Sequence, residues 1–79
     1  MNPQEVSDHK RKWMMASYFE SHTHTDNRSL VIEWCKDHCF QWRYDVKRFT
    51  DIYGDTVRFE LEEDFTAFNE WYKDRGKGL

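Results

Sequence analysis

The spacing of apolar and polar residues changes several times along this chain, and each change predicts a new element. Residues 12–20, KWMMASYFE, place Trp13, Met15, Ser17 and Phe19 on one side and Met14, Ala16 and Tyr18 on the other. That spacing predicts a strand that is apolar on both faces. Such a strand has to be covered on both, by its own domain or by a partner. The stretch SHTHTDN (21–27) reads as a loop, with Asp26 or Asn27 placed to cap a helix beginning at Arg28. From Arg28 the period becomes helical, with Leu30, Val31, Trp34, Cys35 and His38 forming one stripe.

The period then falls to two. In FQWRYDVKRF (40–49), Phe40, Trp42, Tyr44 and Val46 face one way and Gln41, Arg43, Asp45 and Lys47 the other. TDIYGD (50–55) reads as a turn around Gly54. TVRFELE (56–62) alternates again, with Val57, Phe59 and Leu61 inward. Asp64 suits a helix N-cap and Glu63 the positive end of the helix dipole. Phe65, Phe68, Trp71 and Tyr72 follow at helical spacing to about Lys73, with Gly76 as the stop.

The predicted order is β-α-β-β-α. A right-handed crossover makes the first two strands parallel, and a short turn makes the third antiparallel to the second. The expected fold is α+β, a two-layer sandwich with a three-stranded mixed sheet and two helices on one face. Residues 1–11 are polar and without periodicity, so they read as a flexible N-terminal arm ahead of a single domain over 12–79. A sheet this small has two edges, and edges must be paired, covered or charged. The first strand, apolar on both faces, is the expected place for pairing with a partner or with a second copy.

Composition sharpens this picture. A chain of 79 residues has a marginal core unless its packing is dense, and 18% aromatic residues supply that density. The net charge of −3 speaks against a broad nucleic-acid footprint. Arg43, Lys47 and Arg58 remain the cations for that alternative. No apolar run approaches the roughly 20 residues that span a bilayer, so the expectation is a cytoplasmic protein, without a membrane, whose cysteines are reduced thiols.

Both cysteines lie in WCKDHCF (34–40). Zinc takes four sulfur or nitrogen ligands, and His22, His24, Cys35 and Cys39 would make such a set. Against it, Cys35 continues the apolar stripe, and buried cysteine packs as a small hydrophobe. The expectation is core packing and no cofactor, with zinc as the alternative. His38 has no evident nucleophile beside it, and the chain carries no glycine-rich phosphate loop or paired-carboxylate motif, so no enzymatic activity is expected.

The segment VRFELEEDFTAFNEWY (57–72) resembles the strand, acidic turn and aromatic helix that end many small proteins of tailed bacteriophages, the T4-like and cyanophage groups in particular. The resemblance covers about a fifth of the chain. It implies a small regulatory protein that works in the host cytoplasm by binding a host or phage protein, and it implies no catalytic residues. The function expected from the sequence is thus a non-enzymatic protein-interaction module that binds a protein partner or pairs with itself through its first strand. Its expected contact residues are Trp13, Met15, Tyr18 and Phe19 on the edge and Trp71 near the C-terminus.

Overall fold

The N-terminal residues are a helix, not an arm. In the computed structural model, which describes residues 1–23, 28–48 and 55–75 (backbone alone for Arg28, Arg48 and Arg75), α1 runs from Pro3 to Ala16. Asn2 caps it, its side-chain oxygen accepting from the Glu5 N–H at 2.8 Å, and Pro3 takes a first-turn position where no N–H is needed. Val6 and Trp13 are buried on one face, two turns apart, with His9 and Lys10 half-buried between them. That is a helical stripe at i, i+3, i+4 and i+7. Its two middle members are polar side chains lying along apolar surface, which hides the period from a hydrophobicity reading.

The expected strand over 12–20 therefore shrinks to β1, Phe19–His22, which takes in the first residues of the expected loop. Then come α2 (Arg28–His38), a short 3-10 turn (Gln41–Arg43), β2 (Tyr44–Arg48), β3 (Asp55–Phe59) and α3 (Glu62–Arg75). The expected caps Asp26 and Asn27, the turn around Gly54 and the stop at Gly76 lie outside the described residues. Asp64 sits in the first turn of α3 with Glu62 and Glu63 and is not its cap.

The fold is α+β, but the sheet is antiparallel and not mixed. Its order is β1-β3-β2, and β3 pairs antiparallel with both neighbours. β1 and β2 do run in the same direction, as expected, because each is antiparallel to β3. Shared direction does not imply adjacency, and β3 fills the gap between them.

Each face of the sheet follows from the register. Phe59 lies opposite Phe19 and Tyr44, and Val57 opposite Ser21 and Val46. On this face Val57 and Phe59 join Val31, Trp34 and Cys35 of α2 and Phe68 of α3 in the buried core. Arg58, pointing the other way, lies opposite Glu20 and Asp45. There the Arg58 guanidinium donates to Glu20 Oε1 at 3.0 Å and lies 3.8 Å from Met14 Sδ of α1. Lys10 of α1 reaches Asp45 at 3.5 Å. The expected two-layer arrangement has no place for α1, which meets the sheet from its polar side.

Candidate interaction surface

Backbone register decides which edge of the sheet is open. In an antiparallel sheet, hydrogen-bonded pairs alternate with pairs whose N–H and C=O groups point away from that neighbour. The Glu60 N–H donates to the Arg43 carbonyl at 2.9 Å, which extends the β2–β3 ladder by one residue. Counting by two, 45/58 and 47/56 are hydrogen-bonded pairs. The backbone groups of Tyr44, Val46 and Arg48 therefore point outward, and no described hydrogen bond meets them. At the other edge the Thr23 N–H donates to the Asp55 carbonyl at 2.9 Å, so only Glu20 and His22 of β1 turn outward. β2 is the longer open edge.

Side chains along β2 alternate to match. Tyr44 and the partly buried Val46 pack toward the core, while Asp45 and the exposed Lys47 lie on the polar face. Lys47 has no ion-pair partner among the described residues. Just before the strand, Phe40 stands 60% exposed. It is nonetheless fixed, stacked on Trp42 with ring centroids 4.9 Å apart and with the Arg43 guanidinium 5.8 Å from its centroid. Arg43 reaches Glu60 at 3.7 Å, and its buried Nε–H has no acceptor among the described residues.

The chain matches no family model, no curated protein and no solved structure.

The contact residues expected from the sequence divide sharply. Met15 is 81% exposed, and Tyr18 is exposed at 38%, its ring edge-on to Trp13 and under the Arg58 guanidinium. Trp13 is buried, with its indole N–H donating to the Trp42 carbonyl at 2.8 Å, so it is an anchor of α1 and not a contact residue. Phe19 turns toward the core against Phe65, centroids 5.5 Å apart, and Trp71 stacks on Trp34 at 5.7 Å. Between α1 and the start of α3 lies an open groove of about 530 Å³ whose apolar wall is Trp13, Ala16 and Leu61.

The zinc set does not converge. His22 lies opposite Thr56 on the polar face, with Glu20 Oε2 3.3 Å from its Nε2, whereas Cys35 is fully buried on the other face. His24 lies outside the described residues. Among the described residues no three metal-capable side chains cluster. His38, expected on the inner stripe, is exposed. Its ring stacks on Trp34 with centroids 4.4 Å apart, and its Nδ1 lies 2.9 Å from the Trp34 carbonyl. The nucleic-acid set is scattered as well: Arg58 is held by Glu20 and by the Tyr18 ring, Arg43 lies beside Glu60, and Lys47 alone is exposed. Two of the three cations already face a carboxylate, which a phosphate would have to displace.

The cysteines are a packed pair. The Cys39 N–H donates to the Cys35 carbonyl at 2.8 Å, one helical turn on. A hydrogen bond with Cys39 pushes the Cys35 thiol well above its ordinary pKa, helped by burial and by the negative potential of Cys39 and Asp64. Burial and the neighbouring Glu63 also raise the Asp64 carboxyl, against the opposing pull of Arg43 and a hydrogen bond from Cys39. The thiolate is the reactive form, so Cys35 is inert in the fold and the partly exposed Cys39 is the accessible thiol. Alkylation of native protein, followed by mass spectrometry, is expected to add label to Cys39 alone. Cys35 should take label only after denaturation, and equal labelling of both under native conditions would contradict this packing.

Sequence reasoning missed Phe40 as an exposed ring and the β2 edge as the open one. No local spacing signals the second, because the strand order β1-β3-β2 belongs to the whole sheet.

Proposed function

We propose that this chain is a small, non-enzymatic protein-interaction module. The observation that carries this reading is the open edge of β2, headed by an exposed ring that is already held in place. A pre-stacked Phe40 loses little side-chain entropy on contact, and aromatic and arginine side chains are the residue types that dominate interface energetics. Met15 and Tyr18, exposed at the end of α1, add a second apolar spot. This moves the expected contact surface away from the first strand, whose Phe19 is engaged with α3. The resemblance of residues 57–72 to small proteins of tailed phages supports the same class of function, a regulatory protein acting on a host or phage partner in the host cytoplasm.

The test is affinity capture with the wild-type chain beside a Phe40→Asp variant, with circular dichroism to establish that both fold. A specific partner should be captured by the wild type and lost from the variant. Capture of nothing by the wild type, together with a strictly monomeric species in light scattering at high concentration, would remove the support for this reading.

A further inference from the structure

We infer that the partner of the β2 edge is a second copy of this chain, joined antiparallel, β2 to β2, about a two-fold axis through Val46. The inference rests on the interaction-module reading and specifies its occupant.

The argument begins with parity. Tyr44, Val46 and Arg48 present their backbone groups outward, so a pairing strand must place its own outward groups against these. In an antiparallel self-pairing the paired residue numbers then sum to an even value, which leaves few registers. Centring on Val46 sets Tyr44 against the partner's Arg48 and Val46 against the partner's Val46. All outward groups of both strands are then used, giving about six inter-strand hydrogen bonds. Centring on Asp45 or on Lys47 uses fewer, about four.

Charge selects the same register. Centring on Asp45 sets two aspartates directly opposite each other, and centring on Lys47 sets two lysines opposite. Like charges in that position are destabilising and opposite charges stabilising. Only the Val46-centred pairing puts Asp45 against the partner's Lys47, twice by symmetry. The Asp45 carboxylate, which uses one oxygen toward Lys10, keeps its second for this contact, and Lys47 is exposed and unpaired among the described residues. Charged residues usually protect a sheet edge from indiscriminate pairing. Here the same two charges exclude wrong registers and favour one.

The result is a continuous antiparallel sheet in the order β1-β3-β2, then the partner's β2-β3-β1. A two-fold axis perpendicular to the sheet keeps the faces aligned, so the core faces of both copies lie on the same side. Val46, left partly exposed at the edge of the core, then meets the partner's Val46. Such an interface is isologous, the commonest form of closed assembly, and it buries the longer open edge without propagating.

Sedimentation velocity over a concentration series, with amide hydrogen exchange read residue by residue, tests this. The wild type is expected to form a dimer in which the amides of Tyr44, Val46 and Arg48 become protected as concentration rises. Lys47→Glu, at an exposed position, is expected to keep the fold by circular dichroism and to weaken the dimer about tenfold or more, because two attractive contacts become repulsive. A wild type that stays monomeric overturns the inference. So does a dimer in which those three amides exchange freely or which Lys47→Glu leaves intact. In each of those cases capture of a different protein by the Phe40 surface would still uphold the broader interaction reading.

Discussion

Replacing Phe68 with alanine is expected to destabilise the protein by about 3–5 kcal/mol, the usual cost of deleting a buried aromatic ring. Phe68 is 0% exposed, and it is the point where both helices of the core face and the sheet meet. Its ring centroid lies 5.3 Å from Phe59, 5.4 Å from Trp34, 5.7 Å from Trp71 and 6.0 Å from Tyr72. Large rigid rings on every side cannot collapse into the space the ring leaves, so the cavity term should be close to its full size. At roughly 0.05–0.15 kcal/mol per residue, a domain of this length has a total stability of about 4–12 kcal/mol. Thermal or urea unfolding should then show a fall in melting temperature of about 15–30 °C, or no cooperative transition at all. Phe68→Leu retains much of the volume and should cost clearly less. A Phe68→Ala variant that melts within about 5 °C of the wild type would show that the aromatic cluster is not the centre of the core.

That cluster was legible in the sequence, and the reason is physical. In α2 and α3 the buried positions are filled by residues of unmistakable hydrophobicity. Val31, Trp34 and Cys35 recur at helical spacing, and Phe65, Phe68, Trp71 and Tyr72 do the same. β3 alternates cleanly because one of its faces meets the core and the other meets Glu20 and Asp45. Where the buried face is built from amphipathic side chains, the signal fails. The α1 stripe runs Val6, His9, Lys10, Trp13, and its middle members are anchored by Glu60 at 2.8 Å and Asp45 at 3.5 Å. No hydrophobicity pattern marks a helix docked by an ion pair and a histidine contact, and MM followed by ASYF then reads as a strand.

The open edge escaped for a different reason. Strand order is a property of the whole sheet, and local spacing does not carry it. Once β3 is known to lie between β1 and β2, the outward residues of each edge follow by counting in twos from two backbone hydrogen bonds, Glu60 to Arg43 and Thr23 to Asp55. Phe40 was placed inward by extending the alternation of β2 backward. The 3-10 turn at Gln41–Arg43 breaks that alternation, with the Arg43 N–H donating to the Phe40 carbonyl at 2.9 Å, and leaves the ring outside.

Trp13→Ala should be nearly as damaging as the loss of Phe68, about 3–5 kcal/mol, although the sequence reads this residue as a contact residue on an edge strand. Its indole is 5% exposed, wedged between Tyr18, centroids 6.4 Å apart, and the 3-10 turn whose Trp42 carbonyl it binds at 2.8 Å. Alanine removes the ring and leaves that carbonyl without its donor. Trp13→Phe separates the two effects. It keeps most of the apolar area and loses the hydrogen bond, so a cost of about 1–3 kcal/mol is expected from the orphaned carbonyl. Removing residues 1–11 gives a further reading of the same joint. It takes away the Asn2 cap, Val6, and the His9–Glu60 and Lys10–Asp45 contacts, and it leaves Trp13 with too little helix to hold it. A fall of about 10 °C or more in melting temperature is expected for the truncated chain. An arm that did not dock would be removed without effect, and an unchanged transition in both Trp13→Ala and the truncated chain would place α1 outside the cooperative fold. The consequence reaches the proposed interaction surface, because Trp13 holds the turn that carries Phe40, Trp42 and Arg43. Loss of the anchor should therefore weaken partner capture under conditions where the rest of the sheet remains folded, and Trp13→Phe, which keeps the ring in place, should weaken it less.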